Sequence, residues 1–158
     1  PTLALALIKP DRFEWALQKT IELGCKTIIP FISTRCSYKT DKSDRWQKIA
    51  HEAAKQSGLP FEPKIEPVVE FRKLCGQSNK FSNTYLFYEG EKDNHTKSVE
   101  KKSDLLIIGP EGGFTVDEIT LTKQSAITTV SLGQQILRVE TAAIATLTIW
   151  QYELRNMD

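Results

Sequence analysis

Arg138 and Glu140 stand two residues apart in Leu132-Gly133-Gln134-Gln135-Ile136-Leu137-Arg138-Val139-Glu140-Thr141-Ala142, where a loop gives way to a helical pattern. A guanidinium at such a junction can stabilise an anion where charge develops in a transition state. A glutamate in a helix's first turn suits the helix dipole, and Thr141 can cap. As plain structure, the same pair is a cap and a surface ion pair. A second cluster is Gly109-Pro110-Glu111-Gly112-Gly113. Three glycines let backbone N–H and C=O groups come close to a ligand. Pro110 fixes one torsion, and the loop opens a helix whose N-terminus favours negative charge. The spacing is neither a Rossmann fingerprint nor a phosphate-cradling P-loop, because no Lys-Ser/Thr pair follows. As structure alone it is a tight strand-to-helix turn. No Ser-His-Asp set, zinc spacing or acidic metal cluster competes with these loops, so no metal is expected. His51 falls on the polar side of its helix and His95 in a polar stretch, and both read as surface residues.

Both loops need strands and helices to hold them. Leu3 to Ile8 is nearly continuous Leu, Ala and Ile, the composition of a strand covered on both faces. Asp11 to Leu23 has helical spacing and ends at Gly24, and Thr27 to Ile32 reads as a second strand. Ser43 to Ser57 carries Trp46, Ile49, Ala50 and Ala53 on one stripe before Gly58 and Pro60. Lys64 to Val69 reads as extended, with a short helix over Glu70 to Leu74 and a strand over Thr84 to Tyr88. Asp104 to Ile108 is a buried strand leading into the glycine loop. Thr115 and Glu118 then have the spacing of a capping box, opening a helix to Ser125. Thr128 to Leu132 is the last strand, and Glu140 to Arg155 the last helix. Repeated βαβα order predicts an α/β fold with a mostly parallel sheet flanked by helices. Ligands then sit beyond the carboxyl ends of the strands.

Composition narrows the class. The chain has 158 residues with 40% hydrophobic and 26% charged, which argues for one folded domain and against disorder or coiled coil. Apolar runs are too short to cross a bilayer, so no membrane partner is expected. No charged, apolar, small-residue leader opens the chain, and three cysteines lack CxxC spacing. A reduced cytoplasmic setting is therefore expected. Residues 1–60 hold ten Lys and Arg against six Asp and Glu, while the rest hold eleven against fourteen. The basic excess is densest around Arg35, Lys39, Lys42, Arg45 and Lys48, interleaved with Tyr38 and Trp46. Such a patch can face phosphates, or simply be a solvated face.

The two loops together, Ile108-Gly109-Pro110-Glu111-Gly112-Gly113-Phe114 and Leu132-Gly133 with Ile136-Leu137-Arg138-Val139-Glu140-Thr141-Ala142, resemble the RsmE family. These are bacterial 16S ribosomal RNA uridine-N3 methyltransferases of the SPOUT superfamily. Upstream, Lys9 with Asp11-Arg12, Gln18-Lys19, Glu22-Leu23-Gly24, Pro30, Arg35, Arg45-Trp46 and Glu52-Ala53-Ala54-Lys55-Gln56-Ser57 agree in order. The resemblance implies a carboxyl-terminal deep trefoil knot, an exception to the rule against knots. It implies an S-adenosylmethionine site, leaving S-adenosylhomocysteine as product, at Leu86, Tyr88, Gly109, Glu111, Gly112, Gly113, Leu132, Gly133, Ile136, Leu137 and Arg138. Arg138 and Glu140 would be catalytic, and Lys9, Arg12 and Arg35 would seat the RNA of the small ribosomal subunit. A homodimer is implied, and an amino-terminal PUA-like RNA-binding barrel that is absent here, so that residues 1–158 read as the methyltransferase domain. Leu59 and Phe61 stand where many members have basic residues, and Val139 where Thr is usual. Two other readings keep the fold: a ribose 2′-O-methyltransferase, as in sister SPOUT families, and a non-catalytic RNA-binding or dimerisation module.

Overall fold

The computed structural model describes residues 1–92 and 104–155, so His95 lies outside the described residues. The elements are β1 (Thr2–Ala6), α1 (Pro10–Glu22), β2 (Thr27–Ile32), α2 (Ser43–Gln56), β3 (Lys64–Ile65), β4 (Val69–Glu70) and α3 (Phe71–Cys75). A 3₁₀ turn at Ser78–Lys80 leads into β5 (Thr84–Phe87), β6 (Leu105–Ile108), α4 (Val116–Gln124), β7 (Thr128–Val130) and α5 (Val139–Arg155). Every pairing is parallel. The strand order is β3-β2-β1-β6-β5-β7, with β4 also beside β2. All the strands therefore end on one side of the molecule, and the loops that follow them gather there.

Alternation along β1 divides the core. Leu3 and Leu5 face Phe13 and Leu17 of α1, Ala50 of α2, and Leu147 and Trp150 of α5. Ala4 and Ala6 face Phe71 and Leu74 of α3 together with Phe114. Helices thus cover both faces, as the βαβα order predicts. Cys25, Cys36 and Cys75 are free and buried. Burial pushes the Cys25 thiol up to about 11, so it stays protonated and serves as a small apolar group.

The structure departs from the sequence reading at several places. The first strand ladder stops at Ala6 rather than Ile8, and the last at Val130 rather than Leu132. The extended stretch Lys64 to Val69 is two short pairings with β2, interrupted around Pro67, which has no N–H to donate. That gap also explains Pro30 in the interior of β2. The Ile28 carbonyl accepts from Glu66, so alternation turns Pro30 toward this same side. Its missing N–H falls between the end of β3 at Ile65 and the start of β4 at Val69. Trp46 is 3% exposed, its ring centroid 4.6 Å from that of Phe13, so it belongs to the core and not to a basic surface.

The capping box is present. Thr115 Oγ1 accepts from the Glu118 N–H at 3.2 Å, and Glu118 Oε2 accepts from the Thr115 N–H at 2.8 Å. Glu118 Oε1 also accepts from the N–H and hydroxyl of Thr34, beyond β2, at 2.8 and 2.9 Å. Burial alone would raise this carboxyl, but the donors on Thr34 and Thr115 favour its charged form and hold it below the ordinary carboxylate value. Because the folded value is depressed, the stabilisation is full above the unfolded pKa and fades as pH falls through the folded one. Glu118→Gln should lose about 1.5–3 kcal/mol at pH 7. Thermal unfolding of both proteins should show the gap narrowing in acid; a gap independent of pH would contradict this role.

Candidate functional site

Two loops at the carboxyl ends of the strands build the site. The first leaves β6, whose four residues are all buried, and turns at once. A Cβ on Gly109 would lie 2.3 Å from the Phe114 ring, so only glycine lets that ring close over the strand end. Phe114 is held in turn by Phe71, at 4.8 Å between ring centroids. Gly113 takes φ +68°, and its N–H donates to the Pro110 carbonyl at 2.9 Å, closing the turn. The second loop leaves β7 at Val130. Ser131 Oγ accepts from the Gly133 N–H at 3.2 Å, and Gly133 takes φ +119°. α5 then starts at Val139, one residue before the predicted Glu140.

The loops meet. They form two walls of a cleft of about 380 Å³, within the size range of ligand sites. Of the predicted residues, Tyr88, Gly109, Glu111, Gly113, Leu132, Gly133, Ile136, Leu137 and Arg138 line it, as does Arg12. Its apolar surface includes Ile108, Leu132, Leu137, Val139 and Ala142, and Ile136 stands 79% exposed.

Charge in the cleft is specifically arranged. Arg12, in the first turn of α1, donates through Nη1 to Glu111 Oε1 of the first loop. Its Nε is 4.0 Å from Glu140 Oε1 at the start of α5, so one guanidinium ties together α1, the first loop and the last helix. Arg138 forms no ion pair among the described residues and is exposed at the cleft. Glu89, just beyond β5, brings an equally unpaired carboxylate to the wall beside Gly113. Among the described residues no group of His, Cys, Asp and Glu is arranged to hold a metal ion.

Several expected residues lie elsewhere. Glu140 is not on the cleft wall. Its side chain is 13% exposed and faces Arg12 through one oxygen, while Oε2 is buried without a hydrogen-bond partner. Leu86 is fully buried, because alternation along β5 turns it into the core beside Ile107 rather than toward the cleft. Gly112 presents its carbonyl to Arg35 Nη1 at 3.0 Å, outside the cleft lining. Lys9 precedes α1, exposed, 3.8 Å from Asp11. Leu59 packs against the core, and Phe61 lies under Lys26 Nζ, 5.1 Å from its ring centroid, so both substitutions are used in packing. His51 is on the surface as read, 2.9 Å from Glu62. The sequence reading missed Phe87, Glu89 and Gln135 on the wall. Tyr88 was the nearest available signal, since Phe87 and Glu89 flank it at the same strand end.

The family model described as an RNA methyltransferase domain matches residues 1–151. The chain belongs to this family. Among its relatives in the RNA methyltransferase family, the ribosomal RNA small subunit methyltransferase E of Mesomycoplasma hyopneumoniae is 37% identical over 92% of this chain and 66% of its own length. The Bacillus subtilis protein of the same name is 38% identical over 96% of this chain and 65% of its own. A ribosomal RNA small subunit methyltransferase E from Neisseria gonorrhoeae, solved bound to S-adenosyl methionine, superposes with a TM-score of 0.87. It is 30% identical, covering 96% of this chain and 65% of that one. The chain thus spans about two thirds of the length of these relatives.

Proposed function

We propose that residues 1–158 form the catalytic domain of an S-adenosylmethionine-dependent methyltransferase acting on N3 of a uridine in the 16S rRNA of the small ribosomal subunit. One observation carries the reading: the two glycine loops converge on a single cleft that also presents Arg138, which is outside any ion pair among the described residues. The relatives' names and the cofactor held by the Neisseria structure support it.

The residues present fit the cofactor. Ile108, Leu132, Leu137, Val139 and Ala142 offer apolar surface for an adenine ring, and the glycine backbones of both loops offer donors and acceptors for its edge. When bound, the cofactor supplies an electrophilic methyl on a cationic sulfur together with its leaving group. The nucleophile is the substrate's own uridine N3, and because it carries a proton at neutral pH the chain must help that proton leave. Arg138, free of any ion pair among the described residues, stabilises the negative charge that spreads onto the flanking carbonyls as that proton leaves. Glu89 is the wall carboxylate without an ion pair among the described residues, and it stands as the acceptor for the proton. Glu140, expected as a catalytic group, instead positions Arg12, which clamps Glu111 and so holds the first loop.

The implied knot is supported by the chain's path from edge strand β7 back to α5, which packs against α1 and β6. A homodimer is supported by apolar side chains left exposed on the paired helices α1 and α5: Trp15, Ile149 and Tyr152 at 47%, 47% and 65%. Cytoplasmic residence follows from the substrate, and no described helix is long and apolar enough to cross a membrane. The test is to incubate the protein with isotopically labelled S-adenosylmethionine and 16S rRNA, then digest to nucleosides and identify the product by mass spectrometry. Label in 3-methyluridine is the expected result. Label in a 2′-O-methylnucleoside would move the reading to ribose chemistry, and no uptake of cofactor would leave a binding module.

A further inference from the structure

The sequence offers Lys9, Arg12, Arg35, Lys39, Lys42, Arg45 and Lys48 as cations for an RNA backbone, and the fold sorts them. Arg12 is spent on Glu111. Arg45 is held by Glu14 through two hydrogen bonds of 2.6 and 2.8 Å. Arg35 is tied to the Gly112 carbonyl. The loop after β2 keeps Lys39 and Lys42. From Ser37 to Lys42 every residue is exposed, and neither Lys39 nor Lys42 forms an ion pair among the described residues. The carboxylate within this segment, Asp41, is occupied in accepting from the N–H and hydroxyl of Ser43. Tyr38, between Arg35 and Lys39 in the chain, has 40% of its surface open.

This loop is fixed relative to the cleft. Near its start, Thr34 is bonded to Glu118 at the start of α4, and Arg35 is bonded to the glycine loop itself. Cys36, 5% exposed, belongs to the core cluster of Phe31, Phe71 and Phe114 and anchors the turn two residues before Tyr38. β2 ends on the same side of the parallel sheet as β5, β6 and β7, so the segment leaves the sheet on the side that carries the cleft.

We infer that Tyr38, Lys39 and Lys42 form a docking surface for a single-stranded RNA segment next to the nucleotide held in the cleft. The inference rests on the methyltransferase reading and names how that site grips its substrate. An exposed aromatic ring offers a stacking platform for a base, and stacking of this kind tolerates any base. The lysines, outside any ion pair among the described residues, supply phosphate neutralisation, each adding to the salt dependence of binding. A base must leave its stack before its N3 can be reached, so a platform beside the cleft suits the chemistry.

The test uses a fluorescein-labelled oligouridylate and fluorescence anisotropy across a salt series, with calorimetric titration of S-adenosylmethionine alongside. Tyr38→Ala should weaken oligouridylate binding about five- to a hundredfold, and Tyr38→Trp should restore it. Lys39→Ala and Lys42→Ala should each lower the slope of log K against log salt by about 0.7. Lys64→Ala, in an ion pair with Glu66 at the opposite end of the sheet, should leave that slope alone. Wild-type affinity in Tyr38→Ala, or unchanged slopes in the lysine variants, would overturn the proposal, as would a wild-type protein that does not bind the oligouridylate. Absence of S-adenosylmethionine binding would instead overturn the methyl-transfer reading, and the anisotropy does not depend on it.

Discussion

Arg138→Ala should lower methyl-transfer turnover about a hundred- to a thousandfold, the usual consequence of deleting a group aimed at developing charge. Affinity for S-adenosylmethionine should change little, because Arg138 contributes a side-chain charge to the cleft while the apolar and backbone surfaces remain. The split follows from differential binding. The guanidinium has a full anionic partner only once uridine has lost its proton, so its loss appears in kcat and not in cofactor dissociation. Arg138→Lys should recover part of the rate, since an ammonium keeps the charge but not the planar fork. Single-turnover rates with calorimetric cofactor affinities separate these effects. Unchanged turnover in Arg138→Ala would remove this residue from the chemistry.

Gly109→Ala should reduce cofactor affinity more than tenfold. A β-carbon there meets Phe114 Cε2 at 2.3 Å and Cζ at 2.6 Å, closer than any real contact. The ring cannot retreat freely, because Phe71 packs against it and Phe114 is only 6% exposed. Either the ring shifts within the cleft it already lines or the first loop moves away from the second. Overpacking of this kind costs about 1–3 kcal/mol of stability, so thermal unfolding should register it too. Truncating the obstructing ring, as Gly109→Ala with Phe114→Leu, should restore part of the binding. That coupling is the sign of two groups in contact. Full affinity in the single variant would mean that the cofactor does not use this wall.

Much of the fold is legible because its signals are local. Thr27 to Ile32 matches the observed strand end for end, α2 begins at the predicted Ser43, and the Thr115–Glu118 capping box forms with both hydrogen bonds. The first loop is legible from its three glycines and the second from its Arg138 and Glu140, both at strand ends. Non-local features escaped. Nothing in the residues near Glu89 says that β6 inserts between β1 and β5, yet this order brings Phe87 and Glu89 to the cleft. The face of β5 that Leu86 occupies depends on which layer lies below, and its side chain turns into the core beside Ile107. Glu140 takes its catalytic role from what the family resemblance implies. Its actual neighbour is Arg12, 128 positions earlier in the chain, and pairing at that separation leaves no trace in local pattern. Trp46 fits both a basic patch and a helix stripe, and burial against Phe13 decides for the stripe.

Co-crystallisation with S-adenosylmethionine tests the central claim most directly. Electron density for the adenosine moiety should lie between Gly109–Gly113 and Leu132–Leu137, touching both. Density at any other place on the molecule, with these walls left facing each other around solvent, would contradict the account.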